Sequence, residues 1–236
     1  MTLPTIVTPI YKLIIPSTNK SIKYRPFLVK EEKLLLMAKE TDSIVDNIET
    51  IKQIIENCIL SNINVNNLST FDIEYIFIQL RSKSVGNIII LNYEHDCPNN
   101  EDQKQIKFNV DLDKVTIENN NTNNIIKIND DISVALRYPT FNTLESIDVT
   151  NNIISDINIL AKSIDYITDG NIKHDSADYT HDDIIDFLEA LTSKQIKDIY
   201  RFFDNIPTTE FNTNIKCQSC DFNKDIKITG ITDFFV

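Results

Sequence analysis

Apolar residues recur at helical spacing in two stretches of the chain, and the first stretch predicts three helices. Good helix formers run from Phe27 to Met37, and an apolar stripe with 3.6-residue spacing runs from Ile44 to Ile59. A third helix is opened by Ser69 and Asp72, which resemble a capping box, and ends before Gly86 with basic residues in its last turn. This part of the protein is therefore predicted to be mainly helical.

The second helical stretch lies nearer the carboxyl end. Apolar positions between residues 141 and 167 fall on one side of a predicted helix, and the polar residues 171–180 form a loop after it. Two further helices follow, the first opened by Thr180 and the second by a capping box of Thr192 with Gln195.

Short β-type runs bounded by Asn, Asp and Pro lie between these stretches and predict an antiparallel meander at residues 87–138. Two more runs, residues 5–15 and 21–25, predict a hairpin, and two strands flank the turn from Cys217 to Cys220. The predicted fold class is α+β, with a helical body, an antiparallel β meander and a small zinc-ribbon-like C-terminal β element.

These patterns divide the chain into four predicted regions. They are an N-terminal hairpin and helical region (1–86), an antiparallel β region (87–138), a helical region (139–207) and a ribbon-like C-terminal element (208–236) that packs on the β region. No internal repeat is evident, so none of the four is predicted to be a copy of another.

The composition, with 42% hydrophobic and 25% charged residues among 236, is that of a globular protein. Its three glycines, Gly86, Gly170 and Gly230, are too far apart for a glycine-rich phosphate loop or a nucleophile elbow. No apolar stretch is long enough for a membrane span, and the first residues lack the pattern of an export signal. The protein is therefore expected to be intracellular, with its four cysteines as thiols or metal ligands rather than disulfides.

Charge is distributed unevenly along the chain, whose net charge is −12. Residues 1–40 hold seven Lys and Arg against three Glu, a net of +4, so the remainder carries −16. A basic amino-terminal arm can be steered onto an acidic partner, with Lys23 and Arg25 as candidate contacts, although an ordinary solvated surface is the alternative. The acidic body disfavours nucleic acid as a partner.

The strongest chemical signal is the pair of Cys217 and Cys220 on a tight turn between two β-type runs. Two thiolates at this spacing can face one Zn²⁺ ion, as they do in zinc ribbons. A structural site needs four ligands. Without Cys58, the sequence permits one set of four, in which His95 and Cys97 join Cys217 and Cys220. We therefore predict a candidate structural zinc site of His95, Cys97, Cys217 and Cys220, with a metal-free remnant or free thiols as the alternative. Cys58 lies on an apolar helix stripe and is predicted to be a buried packing residue.

Signatures of catalysis are missing from the sequence. The acidic run around Gly170 fails the template of a calcium-binding EF-hand loop, because Ile167 and Ser176 stand where ligands are required. The histidines have no serine or cysteine in a strained turn near them in the sequence. We therefore predict no catalytic residues, and the protein is not expected to be an enzyme.

Four segments carry a resemblance to a known family. They are SIKYRPFLVKEEKLLLMAKE (21–40), IKQIIENC (51–58), FDIEYIFIQLRSKSVGN (71–87) and CQSCDFNKDIKITGITDFF (217–235). In this order and spacing they resemble the baseplate hub protein family of T-even-type, contractile-tailed bacteriophages.

The resemblance implies a structural or assembly component of a phage tail baseplate hub, with other baseplate and hub proteins as partners. It implies assembly in the host cytoplasm and a place in the virion tail baseplate. It also implies a central cysteine pair facing the C-terminal pair, where this chain has Cys97 with His95 as a substitute. The apolar end, Phe234, Phe235 and Val236, is a candidate partner-binding segment. The alternative is a zinc-ribbon binding module that contacts nucleic acid or another protein.

Overall fold

The computed structural model of the chain describes residues 6–39, 44–100, 104–118, 123–145 and 152–230. Its helices are α1 (Val29–Lys39), α2 (Ile44–Cys58), α3 (Thr70–Ser84), α4 (Phe141–Glu145), α5 (Asn152–Ser163), α6 (His181–Glu189) and α7 (Ser193–Asp204). Its strands are β1 (Tyr11–Ile14), β2 (Ser21–Tyr24), β3 (Ile88–Glu94), β4 (Gln105–Asp111), β5 (Thr116–Glu118), β6 (Ile125–Lys127), β7 (Ile132–Leu136), β8 (Ile164–Asp169), β9 (Ile172–Asp175), β10 (Thr208–Lys216) and β11 (Asn223–Thr229). The fold class is α+β, as predicted. None of these helices combines the length and the apolar character that crossing a bilayer requires.

Contacts divide the described residues into two units. The first unit takes its residues from Met1–Val65, Phe71–Glu118 and Thr208–Val236, and the second from Asn66–Thr70 and Asn119–Pro207. Apart from Asn66–Thr70, the chain therefore builds most of the first unit, then the second, and returns to the first with its last two strands.

Three small antiparallel sheets belong to the first unit. β1 pairs with β2, β3 pairs with β4, and β10 lies between β11 and β5. Alternate side chains of a strand point to the same face, so each sheet can turn one apolar face inward. One buried cluster combines strand residues Ile89, Val110 and Ile228 with Ile78 of α3 and with Leu112 and Val115 between β4 and β5.

A four-stranded antiparallel sheet in the order β6, β7, β8, β9 belongs to the second unit together with α4, α5, α6 and α7. Complete capping boxes start two of these helices, one of Thr180 with Asp183 before α6 and the predicted one of Thr192 with Gln195 before α7. The buried core of this unit consists of Val134, Leu136, Leu160, Ala161, Ile164, Ile184, Leu188, Ile199 and Phe202.

The predicted meander at residues 87–138 is wrong in its pairing, although its five strands are present. β3 and β4 form a sheet of their own, β5 pairs with β10, and β6 and β7 join β8 and β9. Alternation of apolar and polar residues identifies a strand, but the partner strand depends on packing between distant segments.

The predicted helix over residues 141–167 is also wrong at its end, because Ile164–Asp169 is a strand. The hydroxyl of Ser163 donates to the carbonyl of Ile159 at 2.8 Å in the last turn of α5. From there the chain pairs with β7, and the predicted polar loop that follows contains β9. Pairing with a neighbouring strand here outweighs the helical spacing of the apolar residues.

A buried ion pair lies at the start of α1. The side chain of Glu31 is 1% exposed and accepts hydrogen bonds from Arg25 Nη2 at 2.9 Å and from the backbone N–H of Leu28 at 2.8 Å. Burial raises the pKa of the Glu31 carboxyl, but these hydrogen bonds and the positive charge of Arg25 hold it below its ordinary value. Arg25 Nη1 lies 3.6 Å from the sulfur of Cys58, so the pair connects the β1–β2 hairpin to the ends of two helices.

We expect Glu31→Gln to lower the free energy of unfolding by about 2 kcal/mol at neutral pH, because Arg25 loses its buried counter-charge. The ionised carboxylate stabilises the fold fully above its ordinary pKa, and this contribution is lost as pH falls through the lower pKa of the folded state. Urea unfolding followed by circular dichroism should therefore show a gap between the native protein and the variant that closes in acid.

Glu32→Gln is the matched control, because Glu32 is exposed on the same helix. Equal losses of stability in the two variants, or a gap that does not depend on pH, would contradict this expectation.

Candidate metal centre

Two β turns of the first unit carry the candidate ligands. His95 follows β3, and its backbone N–H donates to the carbonyl of Lys104 at 2.9 Å, which continues the β3–β4 pairing. Cys97 begins a turn in which the N–H of Asn100 donates to the Cys97 carbonyl at 3.2 Å. Because the chain bends directly after the His-x-Cys pair, both side chains face one point instead of opposite faces of a strand.

The second turn joins β10 to β11. The N–H of Cys217 donates to the carbonyl of Phe222 at 3.0 Å and closes the turn. Inside it, the N–H of Ser219 donates to Cys217 Sγ at 3.4 Å. Asn99 Nδ2 of the first turn donates to the carbonyl of Ser219 at 2.7 Å, so a direct hydrogen bond connects the two turns.

The four candidate ligand atoms, one from each of His95, Cys97, Cys217 and Cys220, lie within 4.8 Å of one another. The sulfur atoms of Cys97 and Cys217 are 3.7 Å apart, and His95 Nε2 lies 3.3 Å from Cys220 Sγ. A tetrahedral zinc ion with Zn–S bonds of about 2.3 Å places two sulfur atoms roughly 3.8 Å apart and a sulfur and a nitrogen about 3.6 Å apart. The cluster therefore has the ligands and the spacing to hold a metal ion.

Apolar side chains surround the cluster on its inner side. Cys97 and Cys217 are buried with Ile106 and Ile215 in one small core. The ring of Phe222 packs on the imidazole of His95, with 4.3 Å between the ring centroids. His95 and Cys220 are only half-buried, so the candidate site has a buried apolar inner side and a partly exposed edge.

The protonation of Cys217 suits metal binding. Burial opposes its ionisation, but hydrogen bonds from the N–H groups of Ser219 and Cys220 and contacts with the sulfur atoms of Cys220 and Cys97 lower its pKa to about 6. A backbone hydrogen bond from Phe222 lowers the pKa of the Cys220 thiol, but burial and the contacts with Cys217 and Cys97 raise it above its ordinary value. The thiolate is the form of cysteine that binds metals. Cys97 and Cys217 are free thiols, since their sulfur atoms are 3.7 Å apart and an S–S bond is about 2.05 Å long.

Cys58 lies apart from the cluster, in agreement with the prediction that it is a packing residue. Its side chain is fully buried at the end of α2, and burial raises the pKa of its thiol to about 11. A fully buried thiol that stays protonated packs as a small side chain, and here its sulfur also lies 3.6 Å from the Arg25 guanidinium.

The predicted partner-binding residues lie in different environments. Phe234, Phe235 and Val236 lie outside the described residues. Lys23 is exposed on β2. Arg25 is 13% exposed and bound to Glu31, so its guanidinium serves the local fold of the hairpin.

Two aspartates of the acidic run near residue 170 also serve the local fold. The carboxylate of Asp175 accepts from the N–H of Ala177, and that of Asp183 accepts from the hydroxyl and the N–H of Thr180. These hydrogen bonds hold the pKa of both carboxyls below the ordinary value. Asp175 therefore caps a short helical turn, and Asp183 completes the capping box at the start of α6.

Two residues that shape the candidate centre, Asn99 and Phe222, were not predicted from the sequence. The hydrogen bond of Asn99 reaches a residue 120 positions away, and the ring of Phe222 packs on an imidazole in the other turn. No local pattern marks such residues, because their contacts exist only once the two hairpins have met.

Comparison with protein families gives a match over nearly the whole chain. A family model described as T4 bacteriophage base plate protein matches residues 8–236. No curated protein and no solved structure matches the chain. The matched range includes all four candidate metal ligands.

Proposed function

Because the chain belongs to the T4 bacteriophage base plate protein family, we propose that it is a subunit or assembly factor of the baseplate hub, acting through protein–protein interfaces. Family membership makes it a structural component of a phage tail baseplate, with other baseplate proteins as partners. The match over residues 8–236 carries the proposal, and the four hub-like segments of the sequence support the finer assignment. On this proposal the protein is made and assembled in the host cytoplasm before it enters the tail.

Exposed apolar side chains near the amino terminus support an interface role. Ile6 is 86% exposed, Val7 90% and Ile10 61%. Neighbouring large apolar side chains at such exposure are typical of surfaces that another protein covers. We propose that this segment and the exposed Lys23 of the following hairpin contact other baseplate proteins, together with the apolar end of the chain.

We also infer that His95, Cys97, Cys217 and Cys220 bind Zn²⁺ as a structural ion in a zinc-ribbon-like element. Zinc supplies a cross-link between the two turns when it is bound. The chain itself provides four ligands, whereas a catalytic zinc site keeps one position for water or substrate. This ligand count supports a role without catalysis.

Protein produced with zinc in the medium should carry one zinc ion per chain, and Cys220→Ser should lose most of it, because the site no longer has four strong ligands. Zinc at a hundred times its dissociation constant should raise the free energy of unfolding by about 2.7 kcal/mol. Elemental analysis and urea unfolding with and without a chelator measure the two effects.

Cys58→Ala is the matched control, because it removes a buried thiol outside the cluster and should leave the zinc content unchanged. Zinc-free native protein, or equal zinc in Cys220→Ser and the native protein, would refute the metal site.

Replacement of Phe234 and Phe235 by alanine should reduce incorporation into baseplates about tenfold or more, because large buried aromatic side chains dominate binding at interfaces. Complementation of a deletion phage followed by mass spectrometry of purified tails measures the effect. The paired control replaces Leu60 and Val85, which are 51% and 61% exposed, by alanine. Unchanged incorporation of the phenylalanine variant would remove the carboxyl end from the proposed interface.

A zinc-ribbon module that contacts nucleic acid is the second candidate, favoured by the spacing of the four ligand atoms on two β hairpins. The net charge of −12 opposes it, because phosphate binding requires a basic surface. We expect zinc-loaded protein titrated with DNA at low and physiological salt to show no salt-sensitive binding. Affinity that falls steeply with salt would instead favour the nucleic-acid module.

A further inference from the structure

A cavity of about 600 Å³ lies in the second unit, between the β-sheet and α6. Its wall is largely apolar and includes Ile132, Ile167 and Phe187. Cavities of this size bury small ligands or the side chains of a docked peptide segment. The cavity is thus large enough to receive a chain segment with one or two large apolar side chains.

Two carboxylates stand at the edge of this cavity, Asp169 at the end of β8 and Asp183 in the first turn of α6. Asp183 caps its helix, whereas Asp169 forms no ion pair with another described residue. Residues 119–207 contain seven Lys and Arg against fifteen Asp and Glu, a net charge of −8. An apolar wall with an acidic edge favours an occupant that presents an apolar side chain next to a cation.

The outward face of residues 10–14, which are Ile10 and β1 and are here called the amino-terminal strand, has that composition. Exposed and buried side chains alternate here. Ile10, Lys12 and Ile14 are exposed, whereas Leu13 and Ile15 are buried. Two residues of an extended strand span roughly 7 Å, so the apolar side chain of Ile10 and the ammonium of Lys12 can engage neighbouring features of one surface.

We propose that the amino-terminal strand of a second copy of this chain docks in the cavity, with Ile10 against the apolar wall and Lys12 beside Asp169. The net charge of +4 over residues 1–40 complements the −8 of residues 119–207 and favours this encounter between copies. The strand and the cavity are different surfaces, so the contact is head-to-tail, and repetition gives a ring or an open chain. This self-association goes beyond the proposed hub role, and purified protein can show it whether or not the chain enters a baseplate.

Sedimentation of the purified full chain over a concentration series tests the proposal. The native protein should form species larger than a monomer, and Ile10→Asp or Asp169→Lys should each raise the apparent dissociation constant about tenfold or more. Added salt should weaken the association of the native protein, because exposed charges contribute to it. Ser176→Trp, which places a large side chain at the cavity, should act like Asp169→Lys without changing a charge.

Matched controls separate the contact from general effects of charge. Leu60→Asp introduces the same charge as Ile10→Asp at an exposed apolar position outside the strand. Asp204→Lys makes the same change as Asp169→Lys at an exposed position of the second unit that does not line the cavity. Both controls should associate as the native protein does, and circular dichroism shows which variants are folded.

Mixing the variants gives the sharpest result. Ile10→Asp retains an intact cavity and Asp169→Lys retains an intact strand, so the mixture should form a one-to-one dimer that neither variant forms alone. Native protein that is monomeric at every concentration overturns the proposal. The native protein would also be monomeric if another protein, or the amino-terminal strand of the same copy, occupied the cavity. Association that neither the strand variant nor the two cavity variants weaken overturns the proposal as well.

Discussion

The register of the two hairpins β3–β4 and β10–β11 controls where the four candidate ligands meet. Each hairpin pairs up to the residue next to its turn, so the turn residues have a fixed place relative to the sheet. A slip of one residue would move every side chain of a strand to the other face. It would separate ligand atoms that now lie within 4.8 Å and expose the buried Ile106 or Ile215. The apolar pattern of the strands and the geometry of the candidate centre therefore depend on the same register.

The hydrophobic core at this end of the first unit is small. Among the described residues its fully buried members are Cys97, Ile106, Ile215 and Cys217, and partly buried side chains that include Phe108 and Phe222 pack against them. A two-stranded hairpin alone is at best marginally stable in water. The proposed zinc ion would join segments 120 positions apart in the sequence, where bringing the chain together costs conformational entropy. On that proposal the ion supplies cohesion that the small core of these sheets does not.

Much of the local structure was predictable because its causes lie within a few residues. The capping box of Thr192 with Gln195 and the hairpin of β1 with β2 depend on short-range hydrogen bonds and turn residues. The pairing of β5 with β10 and the change from helix to strand at Ile164 depend instead on segments far away in the sequence. The grouping of the four candidate ligands was predictable for a different reason: with only four cysteines and three histidines in the sequence, spacing left few combinations. Asn99 and Phe222 belong to residue types that are common in this sequence, so spacing could not single them out. Their contacts with Ser219 and His95 exist only where the two turns meet.

The basic amino-terminal segment shows how far a charge pattern can be interpreted without a fold. Arg25 and Lys12 contribute equally to the net charge of this segment, yet Arg25 is bound to the buried Glu31 and Lys12 is exposed. The difference follows from the strand geometry, because Lys12 alternates with the buried Leu13, whereas Arg25 lies where the hairpin meets α1 and Cys58. A buried pair contributes to stability and a solvated lysine to encounter with other proteins. On the proposal that this segment binds a partner, its exposed lysines and isoleucines make the contacts, because recruitment of Arg25 would take from the buried Glu31 carboxylate the closer of its two cations, Arg25 at 2.9 Å and Lys30 at 3.4 Å.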